Sequence, residues 1–186
     1  FVGVLLVMAL WEALAPQRRH DIPRLLRWSN NLALVVIDTL LLRLTFPVLA
    51  VGMAAIAQSR GLGLFNLMAL PHGGAVLLSV LLLDLVIYGQ HRLLHAVPLL
   101  WRLHRMHHAD LEFDVTTGLR FHPGEILLSM AIKLGAVLAL GAPADAVLIF
   151  EVLLNAMREE LHLYAKNAGS MVGNITMIDS GDAASA

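Results

Sequence analysis

The chain has 186 residues, of which 58% are hydrophobic and 15% are charged, whereas soluble domains are about 45–50% apolar and about 25% charged. This composition predicts an integral membrane protein. The 13 basic and 14 acidic residues leave a formal net charge of −1, which excludes the basic surface that nucleic-acid binding requires. Because the chain has no cysteine, any metal must be bound by nitrogen and oxygen ligands.

Several apolar stretches approach the roughly 20 residues that a helix needs to cross a membrane. In chain order they cover residues 1–15, 31–58, 70–88, 126–140 and 144–157. The last two are separated by Gly141, Ala142 and Pro143 and are predicted to form a helical hairpin, neither arm of which clearly spans alone. The predicted fold is therefore all-α: an integral membrane helical bundle with a cytoplasmic histidine-rich cap and a helical hairpin.

Arginines are distributed unequally between the polar segments. Four lie in the first loop and four lie in or beside the segment after the third span: Arg18, Arg19, Arg24, Arg27, Arg92, Arg102, Arg105 and Arg120. The loop between residues 59 and 69 holds only Arg60. The positive-inside rule then predicts that the two arginine-rich segments share the cytoplasmic face. Eleven of the 13 basic residues are arginine, which favours a bacterial protein and hence the inner membrane.

Six of the nine histidines lie between residues 91 and 122. If the third span continues as a helix, one face of it, within an arc of roughly 60°, carries a carboxylate, a phenol and two imidazoles. These four residues are Asp84, Tyr88, His91 and His95. A second helical face, with i, i+3, i+4 spacing, carries His104, His107 and His108. Five imidazoles can thus converge between two helices, and neutral imidazole binds Fe, Zn, Cu or Ni well.

Two residues that follow complete the candidate site. Because His122 precedes Pro123, it is excluded from helical backbone and is expected to reach the metal from a loop. Glu125 is expected at the start of the next helix, where the helix dipole favours a carboxylate. There it is a candidate partner for an imidazole N–H.

Other polar residues in the apolar stretches have less specific roles. Asp84 is assigned a functional role because an ionisable group within a span is costly. Asp38 and Arg43 are expected to reach the membrane interface or to pair with neighbouring helices. Trp101 is interpreted as an interfacial anchor, and no role is assigned to His72.

The motif series resembles the fatty acid hydroxylase/sterol desaturase superfamily over roughly residues 80–155. The matching elements are Asp84-(x3)-Tyr88-(x2)-His91-Arg92-(x2)-His95, then Leu100-Trp101-(x2)-His104-(x2)-His107-His108, then Thr117-(x2)-Arg120-(x)-His122-Pro123-(x)-Glu125. The resemblance divides the chain into membrane helices at 1–75, a histidine-box domain at 76–157 and an atypical, disordered or truncated tail at 158–186.

The resemblance implies a diiron centre, with zinc as an alternative occupant. This centre would use O2 to hydroxylate or desaturate a lipid, with electrons from a ferredoxin, a cytochrome or a flavoprotein. The implied metal ligands are His91, His95, His104, His107, His108 and His122. The candidates for supporting contacts around them are Asp84, Tyr88, Arg120 and Glu125. Whether the lipid is a sterol, a fatty acyl chain or a carotenoid stays open.

The sequence departs from the superfamily pattern after the hairpin, where the last HxxHH box is missing and His162 is the only histidine. Two irons require about eight protein ligands, so the chain alone is expected to hold the second iron poorly. A metal-binding remnant is therefore the alternative. An intramembrane zinc protease fits less well because Arg92 stands where HExxH needs glutamate. A bis-histidine haem carrier fits poorly because the HxxHH triplet lies in an arginine-rich interfacial segment.

Overall fold

The computed structural model describes residues 23–68, 70–109 and 116–155, together with isolated positions between residues 3 and 14. Most of the first predicted span, residues Arg18, Arg19 and His20, and the segment from 156 onward, which includes His162, lie outside the described residues. The predictions made for those segments are therefore untested.

The described ranges are helical and contain no strand, which confirms the all-α prediction for this part of the chain. The elements are α1 (Arg24–Thr45), α2 (Ala50–Ser59), α3 (Leu64–Leu67), α4 (His72–Ala96), α5 (Pro98–His108), a 3₁₀ turn (Thr117–Leu119), α6 (Pro123–Leu140) and α7 (residues 144–155). Three of the segments are long and apolar enough to cross a membrane: Arg24–Leu67, His72–Ala96 and Pro123–Leu140. By length and composition, these segments support the prediction of an integral membrane helical protein.

The second predicted span, residues 31–58, is not one helix. Helix α1 ends at Thr45 and α2 begins at Ala50, with Phe46 in extended backbone between them. Pro47 explains the break, because proline lacks a backbone N–H and disfavours helical geometry at the residue before it. The apolar composition of this stretch therefore does not predict where the helix breaks.

The third predicted span is longer than expected and carries the first two cluster histidines. Helix α4 runs for 25 residues to Ala96. Val97 then adopts extended backbone before Pro98, and Pro98 occupies the first turn of α5, where its missing N–H costs nothing. One proline therefore both ends α4 and starts α5, and it forms the corner at which the two histidine-bearing helices meet.

The predicted hairpin is present as α6 and α7, but α6, which begins at Pro123, is long and apolar enough to cross a membrane by itself, contrary to the prediction for its arms. Helix α6 ends at Gly141, whose φ of 65° is left-handed, the usual way for glycine to end a helix. Leu134 and Val137 from α6 and Val147 and Phe150 from α7 are buried in a core that also includes Leu83 of α4. The hairpin therefore fixes α6 against α4.

The turn after α2 packs directly on the end of α6. Gly63 has a φ of 92°, and a Cβ added to it would lie 2.1 Å from the backbone nitrogen of Gly141. A Cβ added to Gly141 would lie 2.6 Å from both the Asn66 side chain and the Leu62 carbonyl oxygen. The two backbones can approach this closely only because neither residue has a side chain.

We expect Gly141→Ala to destabilise the protein by about 1–3 kcal/mol, the cost of holding a non-glycine residue in left-handed backbone, with a further steric cost at Leu62 and Asn66. Thermal unfolding in detergent measures this. Gly135→Ala on the same helix is the matched control, because nothing lies within 4 Å of its added Cβ, and it should be neutral or stabilising by up to about 1 kcal/mol. Equal melting temperatures for the two variants would contradict the close backbone packing.

Candidate metal centre

The α4/α5 corner brings three histidines together. Ligand nitrogens of His91, His95 and His104 all lie within 4.8 Å of one another. His91 and His95, one turn apart on α4, place their Nε2 atoms 3.2 Å apart. The ring of His104, from α5, lies 4.7 Å from each of the other two ring centroids. The three imidazoles therefore form one group contributed by two helices.

A second close pair lies on α5 itself. The Nε2 atoms of His104 and His108 are 3.2 Å apart, and the ring of His108 is centred 5.0 Å from that of His95. Two nitrogen ligands that each lie about 2.1 Å from one ion, at ordinary coordination angles, are separated by about 3.0–3.4 Å. Both close pairs thus have the separation that a shared metal ion requires.

Glu125 supports the most buried histidine. Its Oε1 lies 2.8 Å from Nδ1 of His104, and the two side chains are only 3% and 1% exposed. Glu125 is in the first turn of α6, so the carboxylate also lies at the favourable end of the helix dipole. When Nδ1–H donates to Glu125, the lone pair of Nε2 on His104 is directed at the cluster and is available to a metal.

His107 is positioned by the segment that precedes α6. Its Nδ1 donates to the backbone carbonyl oxygen of Arg120 at 3.3 Å, and its ring stacks on Phe121 with centroids 4.5 Å apart. The ring is buried and lies 5.6 Å from that of His104. In the described part of the chain, Arg120 therefore contacts the site through its backbone carbonyl group. The Arg-x-His-Pro segment thereby orients a histidine from α5.

His122 caps α6. Its Nδ1 accepts a hydrogen bond from the backbone N–H of Gly124 at 3.0 Å, and its extended backbone before Pro123 agrees with its predicted loop position. Among the ring contacts of the described residues, the other five histidines are linked to one another and His122 is not included. Its assignment as a ligand remains a prediction.

The cluster favours neutral imidazoles. Desolvation, followed by the neighbouring His95, lowers the pKa of His104 to about 4. Desolvation also lowers the pKa of His108 to about 4, with further contributions from His104, His95 and His91. Both rings are therefore uncharged at neutral pH, which is the protonation state in which imidazole binds metal.

Trp101 lies beside the cluster. Its ring centroid is 5.2 Å from that of His95 and 5.7 Å from that of His108. The indole therefore packs against the histidine group. The interpretation of Trp101 as an interfacial anchor did not predict this contact.

A cavity of about 650 Å³ adjoins the cluster, a volume within the range of small-molecule binding sites. His91, His107, His108 and Glu125 line one part of it. Asp84 and Tyr88, which are exposed to solvent or lipid, line its continuation along α4. The structure therefore places these two residues along the cavity. Their predicted role in supporting the metal ligands stays a prediction.

Sequence reasoning missed a polar face on α1. Arg27, Asn31 and Asp38 are all less than 10% exposed, and Asn31 donates a hydrogen bond to Thr116 at 2.9 Å. Asp38 lies within electrostatic range of His122 and Glu125. The buried carboxylate therefore lies near the start of α6, and its pairing with a neighbouring helix, one of the two expected arrangements, stays a prediction. The spacing of four and seven residues on one helix face was the available signal.

One of three comparisons with known proteins found a match, and this match covers the candidate metal centre. A search of curated proteins and a search of solved structures found no match. A family model described as fatty acid hydroxylase matches residues 76–179, more than half of the chain. This match includes the HxxxH motif of His91 and His95, the HxxHH motif of His104, His107 and His108, the hairpin and most of the predicted tail at 158–186. The chain belongs to the fatty acid hydroxylase family.

Proposed function

We propose that the protein is a membrane-bound lipid hydroxylase or desaturase that uses a histidine-bound diiron centre, O2 and an external electron donor. The observation that carries the proposal is the cluster of five imidazoles at the α4/α5 corner, beside a cavity of about 650 Å³. Family membership supports the reaction class, since it indicates hydroxylase activity in general. The class of lipid and the electron donor are parts of this proposal that do not follow from family membership.

The donor set fits iron. The proposed ligands are all nitrogen donors: His91, His95, His104, His107, His108 and His122. Imidazole is a good ligand for Fe as well as for Zn, so zinc is an alternative occupant. Oxidation of an unactivated C–H bond requires redox chemistry that side chains lack and that iron, when bound here, would supply.

The residues of the chain would bind and orient the lipid. Leu94, Ile126 and Met130 give the cavity apolar walls, while His107 and His108 line it at the cluster. An alkyl chain in this cavity lies next to the imidazoles and displaces water from them. Exclusion of water protects a reactive centre from side reactions. Glu125 would hold the orientation of His104 throughout.

We further propose that the cluster lies at the cytoplasmic face of a bacterial inner membrane. The contact between Asn31 and Thr116 places the start of α1 at the same end of the bundle as the segment before α6. Arg24 and Arg27 lie in the first of these segments, Arg120 lies in the second, and α5 beside it carries two more arginines, in agreement with the positive-inside rule for cytoplasmic ends. A ferredoxin, cytochrome or flavoprotein donor would dock at this end, while the lipid would enter from the bilayer.

A product assay tests the proposal. The purified protein is loaded with iron, supplied with ferredoxin and its reductase, and incubated with membrane lipid extract under isotopically labelled O2. If the cluster retains both irons, we expect a hydroxylated lipid that carries the label, or a lipid with a new double bond, and no product without iron. Tightly bound iron without any oxidised lipid would contradict the proposal and support the metal-binding remnant instead.

A further inference from the structure

The exposed side of α4 ends in an arginine. Leu78, Leu81 and Leu85, spaced by three and four residues, are 40%, 57% and 60% exposed on that side. Because α4 is long and apolar enough to cross a membrane, this side is suited to contact the acyl chains of a bilayer. Arg92 follows Leu85 by seven residues, so it lies on the same side of α4, about 10 Å closer to the α4/α5 corner.

The α4/α5 corner is both exposed and apolar. Leu93, Val97 and Leu99 are 56%, 38% and 68% exposed, and Ala96 and Pro98 between them are exposed as well. Single exposed apolar residues are ordinary on a protein surface, whereas a contiguous apolar patch marks an interaction site with a protein or a membrane. The corner therefore has the character of a binding surface.

The outer side of α5 is basic. Arg102 and Arg105 are exposed and lie one helical turn apart. At 100° per residue they lie away from His104 and His107, the buried residues of this helix. Leu99 lies one turn before Arg102 on the same exposed side. The outer side of α5 thus combines an apolar first turn with two positive charges.

The three arginines around the corner are not neutralised by the protein. In the ranges that the structure describes, Arg92, Arg102 and Arg105 form no ion pair and no side-chain hydrogen bond. Three cations beside an exposed apolar patch are complementary to a surface that is both anionic and apolar. The boundary of a bilayer with acidic phospholipids has both properties, because its phosphates lie directly above its acyl chains.

Continuity with α4 favours a membrane over an acidic protein as the partner. Arg92 continues the side of α4 that is suited to contact acyl chains, and long basic side chains at such positions reach up to the headgroups. Trp101, which is 36% exposed and lies one turn before Arg105, has the amphipathic ring that is enriched at headgroup level. Acidic lipids give the cytoplasmic leaflet its negative surface potential, and that leaflet is the proposed location of this end of the protein.

We infer that the α4/α5 corner binds acidic phospholipid. The headgroup phosphates contact Arg92, Arg102 and Arg105, and the acyl chains cover the exposed apolar residues between positions 93 and 99. None of the three arginines lines the cavity beside the cluster, so this surface is distinct from that cavity. The inference goes beyond the proposed function, because it requires neither iron nor a reaction.

Quenching of Trp101 fluorescence by brominated lipid tests the inference. Trp11→Phe and Trp28→Phe leave Trp101 as the single tryptophan of the full chain, which is reconstituted in phosphatidylcholine bilayers. Increasing fractions of lipid brominated on the acyl chain are then added, either phosphatidylglycerol or phosphatidylcholine. We expect phosphatidylglycerol to reach half-maximal quenching at a fraction at least about fivefold lower, the value of one arginine at an anionic surface. High salt should reduce this preference.

Neutralising the arginines separates charge recognition from simple contact with the bilayer. Arg92→Gln, Arg102→Gln and Arg105→Gln together should make the two brominated lipids quench equally. Arg60→Gln is the matched control, because Arg60 is also exposed but follows α2 rather than the corner, and it should keep the full preference. The absence of any quenching, equal quenching in the wild type, or a preference that survives the triple substitution would each overturn the inference.

Two other partners for the arginines give a different result. If they pair with the acidic residues of segment 110–115, which lies outside the described residues, the triple variant melts at a lower temperature and the wild type shows no lipid preference. If they dock an acidic protein instead, the wild type again shows no lipid preference. Either result would overturn the inference. Because the quenching needs neither iron nor an electron donor, its failure is distinguishable from failure of the product assay.

Discussion

Replacing His95 with alanine is expected to remove metal from the cluster while the protein stays folded. The Nε2 of His95 lies 3.2 Å from that of His91, and its ring is centred 4.7 Å from that of His104. Loss of a residue that merely supports a ligand costs 10–100-fold in metal affinity, so loss of a ligand should cost more than about 100-fold. His95 is exposed, and exposed substitutions usually change stability by less than about 0.5 kcal/mol.

Metal content of the purified variant, measured by elemental analysis after dialysis, checks this result. His72→Ala is the matched control. His72 is also an exposed histidine on α4, and its described partner is Asp145 rather than another imidazole. It should retain the wild-type metal content. Equal retention by the two variants would show that the cluster does not bind metal through His95.

The histidine faces could be predicted because helix geometry fixes them. Four-residue spacing places His91 and His95 on one face of any helix, and the same holds for His104 and His108. The family resemblance followed from the same spacing, and the family model confirms it. The sequence spacing therefore predicts which histidines each of the two helices contributes to the candidate site.

How the two halves meet could not be predicted from periodicity. The angle between α4 and α5 depends on the extended backbone at Val97 and the proline that follows, and sequence spacing does not report it. The contact between Glu125 and His104 joins residues 21 positions apart, across a segment whose length alone allows many arrangements. Such contacts are set by packing of α6 against α4, through side chains such as Leu83 and Val137.

The buried carboxylate of α1, Asp38, shows a second limit. In an apolar stretch, one charged residue is compatible with an interfacial position, a pair with another helix or a buried site. Only the neighbours decide, and those of Asp38 come from α6 and the residue before it. Asn31 and Arg27, buried on the same face, could have indicated an interior side. The spacing of these polar residues on α1 is the sequence signal for this buried face.

Glu125→Gln is expected to weaken metal binding by about 10–100-fold, the usual effect of losing a group that orients a metal ligand. The carboxylate accepts the Nδ1–H of His104 at 2.8 Å in a buried environment, and its negative charge makes Nε2 a stronger donor to metal. Glutamine keeps the size and one acceptor oxygen but removes the charge. The fold should therefore survive better than in Glu125→Ala, which leaves a buried imidazole N–H unpaired at a cost of about 1–3 kcal/mol.

Competition between the protein and a chelator measures the affinity of each variant, and thermal unfolding in detergent measures its stability. Ser129→Ala is the matched control because Ser129 lies one turn further along the same face of α6, lines the same cavity and bonds to Gln90 rather than to a histidine. It should bind metal as the wild type does. If Glu125→Gln binds metal as tightly as Ser129→Ala, the carboxylate does not orient His104 for metal binding. The buried Glu125 side chain would then contribute only to the packing of α6.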